Sequence, residues 1–261
     1  MQVKPKKYLG QHFLNDETIA QQIISAFMEK NNCVNVLEIG AGTGVLTKYL
    51  IQNEKINLQV IDIDRQSVEY LKIHFPQLEN KIIEADFLRI NLSEMYNRVG
   101  EEVAIIGNFP YNISSQILFK VLENRQHVPI VVGMFQKEVA ERIAAKPKNK
   151  SYGILSVLMQ AYYDVEYLWT VSEAVFIPPP KVKSGVLRFI RNDRKQLNCD
   201  EQFFFKVVKT GFNQRRKTLR NALKIFLSDK NEISEHPYFN QRAEELSVEE
   251  FVELTNLLAI K

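Results

Sequence analysis

Short strand-like segments alternate with segments of helical spacing, and this alternation restricts the possible folds more than any other feature of the chain. The strand-like segments are Val36–Ile39, Leu58–Asp64, Lys81–Glu84, Val103–Ile106 and Pro129–Phe135. The last of them is apolar throughout, which is typical of a central strand covered on both faces. Strands that alternate with helices form βαβ units around a parallel sheet. The sequence therefore predicts an α/β fold built on a mostly parallel sheet.

A polar, charged stretch at Arg191–Asn198 marks the predicted domain boundary. We expect a first domain over residues 1–195, which begins with a basic arm over residues 1–16, and a helical second domain over residues 196–261. The length of 261 residues fits one large domain with a small one beside it. Ser247 and Glu250 have the spacing of a capping box, which predicts the start of a last helix.

Cysteine, histidine and hydropathy patterns exclude several classes of protein. Cys33 and Cys199 lie far apart and form no disulfide framework, which is typical of a reducing cytoplasm. The four histidines show no HExxH pattern, so we expect no catalytic metal. No apolar run approaches the roughly 20 residues that cross a bilayer. We therefore expect a cytoplasmic protein with no membrane association.

The segment Asn108–Tyr111 presents ligand-binding groups where a buried strand ends. Ligands of open α/β sheets bind outside the carboxyl ends of the strands. Pro110 has a fixed φ angle and pushes Phe109 toward an extended conformation. The Phe109 carbonyl and the Asn108 side-chain oxygen then offer two acceptors, and Tyr111 offers a flat face. This combination suits an exocyclic amine on a planar base, although a simple turn after a strand would use similar residues.

A glycine-rich turn follows the first predicted strand of the sheet. Glycines such as Gly40 and Gly42, between a strand and a helix, let the backbone approach a ligand closely. A dinucleotide fold would require GxGxxG spacing, but Val45 occupies the third glycine position. Asp62 and Asp86 end the next two strands, where they could bind a ribose and an adenine amino group. The pattern favours a nucleoside without a pyrophosphate.

These motifs together resemble the ribosomal RNA adenine dimethyltransferases, a family of class I methyltransferases with a Rossmann-like fold. The resemblance runs from Tyr8 nearly to Leu223 and favours the bacterial small-subunit type. It implies a seven-stranded, mostly parallel sheet followed by a small all-α domain. The matching segments are residues 9–16, 38–44, 107–114, 136–142, 151–153, 176–184 and 212–219.

The resemblance implies that the cofactor is S-adenosylmethionine. The cofactor-binding residues that it implies are His12, Leu14, Gly40, Asp62, Asp86 and Asn108. We add Gly42, which belongs to the same glycine turn as Gly40. Three positions depart from the usual family pattern: His12 replaces Asn, Asp62 replaces Glu, and Phe109 replaces Leu. The shorter Asp62 side chain is expected to weaken ribose binding modestly, whereas the other two changes should be tolerated.

Catalysis is predicted to centre on Asn108, Phe109, Pro110 and Tyr111. Acceptors on the target amine favour a pyramidal nitrogen, and orientation of the reactants supplies roughly 7–11 kcal/mol. We expect Tyr111 to stack on an extruded adenine, with Phe176 on its other face. Such stacking contributes roughly 1–3 kcal/mol per base. A role for Phe176 in the hydrophobic core is an equally good interpretation.

Positive charge is concentrated between Lys181 and Lys224. That segment holds 13 basic and 3 acidic residues, 13 − 3 = +10, against +3 for the whole chain. An ordinary solvated face is the alternative, but the local excess favours phosphate contacts with folded RNA. Lys217, Arg220 and Lys224 are expected on one helix face. The predicted RNA-binding residues are Lys181, Lys183, Arg215, Arg216, Lys217, Arg220 and Lys224.

The resemblance implies N6,N6-dimethylation of two adjacent adenosines in the 3′-terminal hairpin of small-subunit (16S) rRNA, coupled to late 30S biogenesis. The expected partner is rRNA in an immature 30S particle, and the protein is expected to be a monomer. Two alternatives are a large-subunit rRNA methyltransferase that confers macrolide resistance and a ribosome-assembly factor in which binding is the main task. The segment 212–219 and the long helical tail favour the small-subunit enzyme.

Overall fold

The computed structural model of the chain describes residues 3–92, 94–95, 102–227 and 235–259. Backbone contacts divide the chain into two compact units. The first comprises Met1–Ala140 and Val165–Arg191, and the second comprises Glu141–Asp164 and Asn192–Lys261. This division differs from the single boundary predicted after residue 195. Residues 141–164 join the second unit because the helix they contain packs on helices from the carboxyl-terminal part of the chain.

The strands are β1 (Phe13–Leu14), β2 (Asn35–Ile39), β3 (Asn57–Asp62), β4 (Ile82–Glu84), β5 (Val103–Asn108), β6 (Ile130–Gln136), β7 (Tyr163–Val171), β8 (Phe176–Ile177) and β9 (Ser184–Arg191). Within the described residues, seven of them form one sheet in the order β4-β3-β2-β5-β6-β9-β7. The first five strands in this order, β4, β3, β2, β5 and β6, each pair in parallel with their neighbours. Strand β9 is antiparallel to β6. The predicted mostly parallel, seven-stranded sheet is confirmed.

The helices are α1 (Glu17–Lys30), α2 (Thr47–Leu50), α3 (Arg65–His74), α4 (Ser114–Glu123), α5 (Lys137–Ala144), α6 (Ile154–Gln160), α7 (Glu201–Asn213), α8 (Leu219–Ala222) and α9 (Val248–Ala259). Helix α1 begins at Asp16, whose side chain accepts a hydrogen bond from the Ile19 amide at 3.0 Å. It buries Ala20, Ile23 and Phe27 and packs against β6 and β9.

The core of the first unit lies around the central strands. Every residue of β2 is buried, and so are the first six residues of β6. A continuous apolar run therefore produces a strand that is covered on both faces, as predicted. At roughly 25 cal/mol per Å² of buried apolar surface, such strands supply much of the stability of an α/β unit.

A second, two-stranded sheet joins two parts of the chain that are distant in sequence. Strand β1 pairs antiparallel with β8, so that Phe13 faces Ile177 and Leu14 faces Phe176. Sequence periodicity did not predict this pairing. Strand β8 ends at Ile177, directly before the three prolines at positions 178–180.

In the second unit, α7 packs against α6, α8 and α9. The capping box at α9 is confirmed, because the Glu250 amide donates to Ser247 Oγ at 3.2 Å and the Ser247 amide donates to Glu250 Oε2 at 2.7 Å. The helix predicted to carry Lys217, Arg220 and Lys224 is interrupted. Helix α8 is four residues long, and Lys224–Phe226 form a separate turn of 3₁₀ helix.

Candidate active site

A pocket lies at the carboxyl ends of the parallel strands β2 to β5. It contains about 850 Å³ of empty space, part of it open to solvent. The lining comes from the basic arm, from the glycine turn after β2, and from the segments that follow β3, β4 and β5. The predicted residues that line it are His12, Gly40, Gly42, Asp62, Asp86, Asn108, Phe109, Pro110 and Tyr111.

The glycine turn after β2 depends on a backbone conformation that side chains rarely adopt. Gly40 and Gly42 have φ angles of 70° and 56°. A Cβ atom at Gly42 would also lie 2.7 Å from the ring of Phe13. The turn therefore requires glycine both for its φ angle and for the close approach of the arm.

Asp62 is a buried carboxylate that holds this turn in place. Its Oδ2 accepts a hydrogen bond from the Gly42 amide at 2.9 Å, and its Oδ1 accepts one from the Asp64 amide at 2.8 Å. Burial raises the pKa of Asp62, and the backbone hydrogen bonds oppose that rise. Each oxygen retains a lone pair, so the carboxylate can still accept from hydroxyl groups of a ligand.

Asp86 shapes the segment that follows β4. Its Oδ1 accepts from the Leu88 amide at 2.9 Å, and its Oδ2 lies 3.4 Å from Arg89 Nε. Phe87 and Leu88 also line the pocket. An acidic turn with apolar neighbours can accept from an amino group and cover a flat ring.

The Asn108 side chain has a defined orientation. Its Nδ2 donates to the His12 carbonyl at 2.9 Å, so its Oδ1 is directed away from that carbonyl. The Phe109 ring is 1% exposed, and it packs at 74° against Phe135 over Gly133, with ring centroids 5.3 Å apart. This packing places the larger Phe109 side chain in the core, so that its substitution for Leu affects packing and not the backbone carbonyl.

Tyr111 is held by two contacts. Its hydroxyl lies 2.6 Å from Ser184 Oγ, and its ring stacks with His12 at a centroid distance of 5.4 Å. Burial raises the pKa of Tyr111, with the Ser184 hydrogen bond opposing the rise. His12 itself is positioned by the Pro178 carbonyl, 2.7 Å from Nδ1.

The basic arm is fastened to the pocket through Asp64, which caps α3. Lys6 Nζ pairs with Asp64 Oδ1, and Gln11 Nε2 donates to Asp64 Oδ2 at 3.1 Å. Burial acts to raise the pKa of Asp64, but the hydrogen bonds from Lys6, Gln11 and the Gln66 amide outweigh it and lower the pKa. The arm is thus anchored by a charged side chain that is fully removed from solvent.

Glu38 lies behind the glycine turn. Its side chain is fully buried, and its Oε2 accepts from Thr47 Oγ1 at 2.7 Å. Burial raises the pKa of Glu38 to about 7, and the hydrogen bond from Thr47 opposes this rise. Sequence analysis placed Glu38 only within the matching motif and did not identify its burial.

Two predicted residues are not brought to this pocket. Leu14 is 3% exposed and borders a small neighbouring cavity together with Gly40 and Asn108. Phe176 is 2% exposed and belongs to the hydrophobic core of the first unit. The structure therefore agrees with the core interpretation of Phe176, and its base-stacking role stays a prediction.

Ion pairs reduce the positive charge that the segment 181–224 presents to solvent. Arg188 is buried and pairs with Glu29 and Glu166. The other paired arginines of this segment are Arg191 with Glu102, Arg194 with Glu249, and Arg215 with Glu244. The predicted RNA-binding residues that are exposed are Lys181, Lys183, Arg216, Lys217, Arg220 and Lys224. Lys217 precedes α8, so it does not share a helix face with Arg220 as predicted.

Several apolar residues that line the pocket are absent from the predicted site. Ile63 directly follows Asp62 and is 50% exposed, and Phe87 and Leu88 directly follow Asp86. In both places an apolar residue follows the acidic residue that ends a strand. This pattern could have indicated the pocket lining, because a planar ligand needs an apolar surface as well as an acceptor. Among the described residues, no cluster of three potential metal ligands occurs and no helix is long and apolar enough to cross a membrane.

Comparison with known proteins agrees with this geometry. The sequence profile described as Ribosomal RNA adenine dimethylase matches residues 2–260. A protein of Cytophaga hutchinsonii named Ribosomal RNA small subunit methyltransferase A is 60% identical over 259 residues, which is 99% of each chain. The protein of the same name from Flavobacterium johnsoniae is 58% identical and covers 97% of this chain and 95% of its own.

Solved structures extend the similarity to the fold. A dimethyladenosine transferase from Plasmodium falciparum superposes with a TM-score of 0.78 at 26% identity, over 93% of this chain and 96% of its own. A 23S rRNA methyltransferase, ErmE, superposes with a TM-score of 0.69 at 22% identity, over 95% of this chain and 100% of its own. Because ErmE is 22% identical to this chain, its similarity shows the fold alone.

Proposed function

Because the chain belongs to the ribosomal RNA adenine dimethylase family, we propose that it dimethylates N6 of adenosines in small-subunit (16S) rRNA, with S-adenosylmethionine as the methyl donor. The targets would be two adjacent adenosines of the 3′-terminal hairpin in an immature 30S particle, and the protein would act as a monomer in the cytoplasm. Relatives at 51–60% identity that share the small-subunit name support this substrate over large-subunit rRNA.

The residues of the pocket fit a nucleoside-type cofactor. The left-handed glycine turn leaves space for close approach of a ligand, and Asp62 offers lone pairs beside it. Gly40, Gly42 and Asp62 would hold the ribose side, and Asp86 would accept from the adenine amino group. When bound, S-adenosylmethionine supplies a methyl group already activated by its sulfonium sulfur.

The chain's own residues would orient the target amine. The observation that carries this proposal is the hydrogen bond from Asn108 Nδ2 to the His12 carbonyl, which directs the Asn108 oxygen away from the arm. That oxygen and the Phe109 carbonyl would accept from the adenine amino group and favour a pyramidal nitrogen. One acceptor contact is lost after the first methylation, and a neutral Asn tolerates that loss.

Tyr111 would provide the stacking surface for the extruded base. His12 covers part of one face of its ring, and Ser184 holds its hydroxyl. The target adenine would therefore use the other face. Stacking of roughly 1–3 kcal/mol would offset much of the cost of extruding the base, a few kcal/mol.

Methyl transfer from labelled S-adenosylmethionine tests the proposal. Unmethylated small subunits, naked small-subunit rRNA and large-subunit rRNA would be compared in parallel, with identification of the product nucleosides. We expect dimethyladenosine in the small-subunit substrates only. Asn108→Ala should lower kcat about 10²–10³-fold, as loss of a preorganised polar contact does.

The matched control is Asn32→Ala, at an exposed position before β2. It should leave the rate unchanged. Thermal unfolding of Asn108→Ala should be compared with that of the wild type to establish that the fold is intact. Label in large-subunit rRNA would contradict the proposed substrate. Cofactor binding and subunit binding without any transfer would favour the assembly-factor alternative.

A further inference from the structure

Lys120 makes contacts that the proposed reaction leaves unexplained. It lies on α4, and its Nζ donates to the Leu88 carbonyl at 2.9 Å and to the Ile90 carbonyl. The same ammonium lies 5.4 Å from the centroid of the Phe87 ring. One side chain thus contacts three residues of the segment that follows β4.

The sheet supports only the start of that segment, where the Ala85 amide donates to the Asp62 carbonyl at 3.1 Å. Strand β4 is three residues long, and within the described residues it lies at the edge of the sheet and pairs with β3. After it, the chain forms a turn in which the Leu88 amide donates to Asp86 Oδ1 and the Arg89 amide donates to the Asp86 carbonyl, both at 2.9 Å. These bonds are internal to the turn and do not connect it to the rest of the unit.

Helix α4 begins at Ser114, three residues after Tyr111. Through Lys120, the pocket wall formed by Asp86 and Leu88 is therefore joined to the helix that follows the catalytic segment. The ammonium is half-buried, and this desolvation lowers the pKa of Lys120 although Glu123 and Asp86 oppose the change. A partly desolvated cation gains more from carbonyl acceptors than an exposed one does.

We propose that Lys120 is a positioning residue that holds the 85–90 segment in the conformation that binds the adenine end of the cofactor. The inference rests on the proposed function for the identity of the ligand, but not for the effect on the segment itself. Without the ammonium, the Leu88 and Ile90 carbonyls lose their charged donor, and the turn around Asp86 becomes free to move away from the pocket.

The test compares Lys120→Met, Lys120→Arg and Lys72→Met. Methionine keeps the apolar stem of lysine and removes the donor, arginine restores a cationic donor, and Lys72 is an exposed lysine on α3. The first readout is amide hydrogen exchange of residues 85–92 in protein without cofactor. We expect Lys120→Met to exchange several-fold faster there than the wild type and than Lys72→Met.

The second readout is the Kd for S-adenosylmethionine, measured by calorimetry, together with kcat and KM. We expect Lys120→Met to raise the Kd and KM about tenfold, the order lost with a charge-assisted hydrogen bond, with kcat within twofold of wild type. Lys120→Arg should recover most of the affinity. Unchanged exchange in Lys120→Met, or an equal loss of affinity in Lys72→Met, would overturn the proposal.

The two readouts separate this inference from the proposed function. A wild-type protein that bound the cofactor but methylated no rRNA would contradict the function, whereas exchange and affinity would still decide the role of Lys120. Faster exchange with unchanged affinity would also overturn the proposal, because the segment would then not need Lys120 to bind the cofactor.

Discussion

The pKa of Glu38 is raised by burial, and the residues beside Glu38 in the sequence do not indicate this. It lies in a buried strand directly before the glycine turn, accepts hydrogen bonds from Thr47, and has its pKa raised to about 7 by burial. An acidic group with a raised pKa binds a proton more tightly in the folded protein than in the unfolded chain. Its contribution to stability is therefore fully present below pH 4.5 and is lost as the pH rises through 7.

Glu38→Gln is expected to remove this pH dependence. Gln keeps an oxygen that can accept from Thr47 and cannot ionise. Between pH 5 and pH 8, the free energy of unfolding of the variant should rise by about 2 kcal/mol relative to the wild type, from about 1.4 kcal/mol per pKa unit. Denaturant unfolding at each pH measures this difference.

The control for that measurement is Glu54→Gln, at an exposed position. Its stability should run parallel to that of the wild type. Asp62 titrates in the same direction because burial raises its pKa as well, so only the difference between variant and wild type reports on Glu38. Parallel curves for Glu38→Gln and the wild type would contradict the assignment.

The basic arm is the element on which the shape of the pocket most depends. It has almost no regular structure of its own, with one turn of 3₁₀ helix at Lys7–Leu9 and the two residues of β1. Pairing with β8, the Asn108 bond to the His12 carbonyl, and the contacts of Lys6 and Gln11 with Asp64 hold it in place. Because its residues 9–13 line the pocket, its anchoring and ligand binding should be coupled.

Lys6→Met is expected to weaken cofactor binding several-fold while kcat at saturating cofactor stays near the wild-type value. The variant removes the charge that partners the buried Asp64 but leaves Asp64 in place as the cap of α3. Lys7→Met is the matched control, because Lys7 is exposed in the same turn. Titration calorimetry with S-adenosylmethionine gives the result, and equal affinities for the two variants would show that the ion pair does not support the pocket.

At the scale of the whole molecule, the basic segment 181–224 contains two different kinds of cation. Arg188, Arg191, Arg194 and Arg215 are used in ion pairs within their units. Cations such as Arg216 and Lys217 precede α8, and both are exposed. Only the exposed group is suited to binding phosphates, so a net charge counted from sequence overstates the charge available to RNA.

The double variant Arg216→Ala/Lys217→Ala is expected to weaken binding to the RNA substrate and to reduce its salt dependence. Each lost phosphate contact lowers the slope of log K against log salt by about 0.7–0.9. The control is Lys55→Ala/Lys72→Ala, which removes the same net charge from two exposed positions of the first unit. Filter binding over a range of salt concentrations measures both slopes, and identical slopes would contradict a specific role for Arg216 and Lys217.

Local sequence predicted the elements whose structure depends on neighbouring residues. The capping box of α9 forms as the spacing of Ser247 and Glu250 indicated. The pocket could be located in advance for the same reason. Parallel strands bring their carboxyl ends to one edge of the sheet, so the residues after β2, β3, β4 and β5 had to meet there.

The sequence by itself thus determined the sheet, the glycine turn, and the acidic and amide groups at the edge of the sheet. Backbone preferences and the alternation of apolar residues act over a few positions, and they are visible in the chain. Only the tertiary structure decided which side chains are covered and which are paired. Phe176 is buried because β8 meets β1 about 160 residues away, and Arg188 is neutralised by Glu29 from α1. Such contacts depend on the packing of distant segments, which no local pattern specifies.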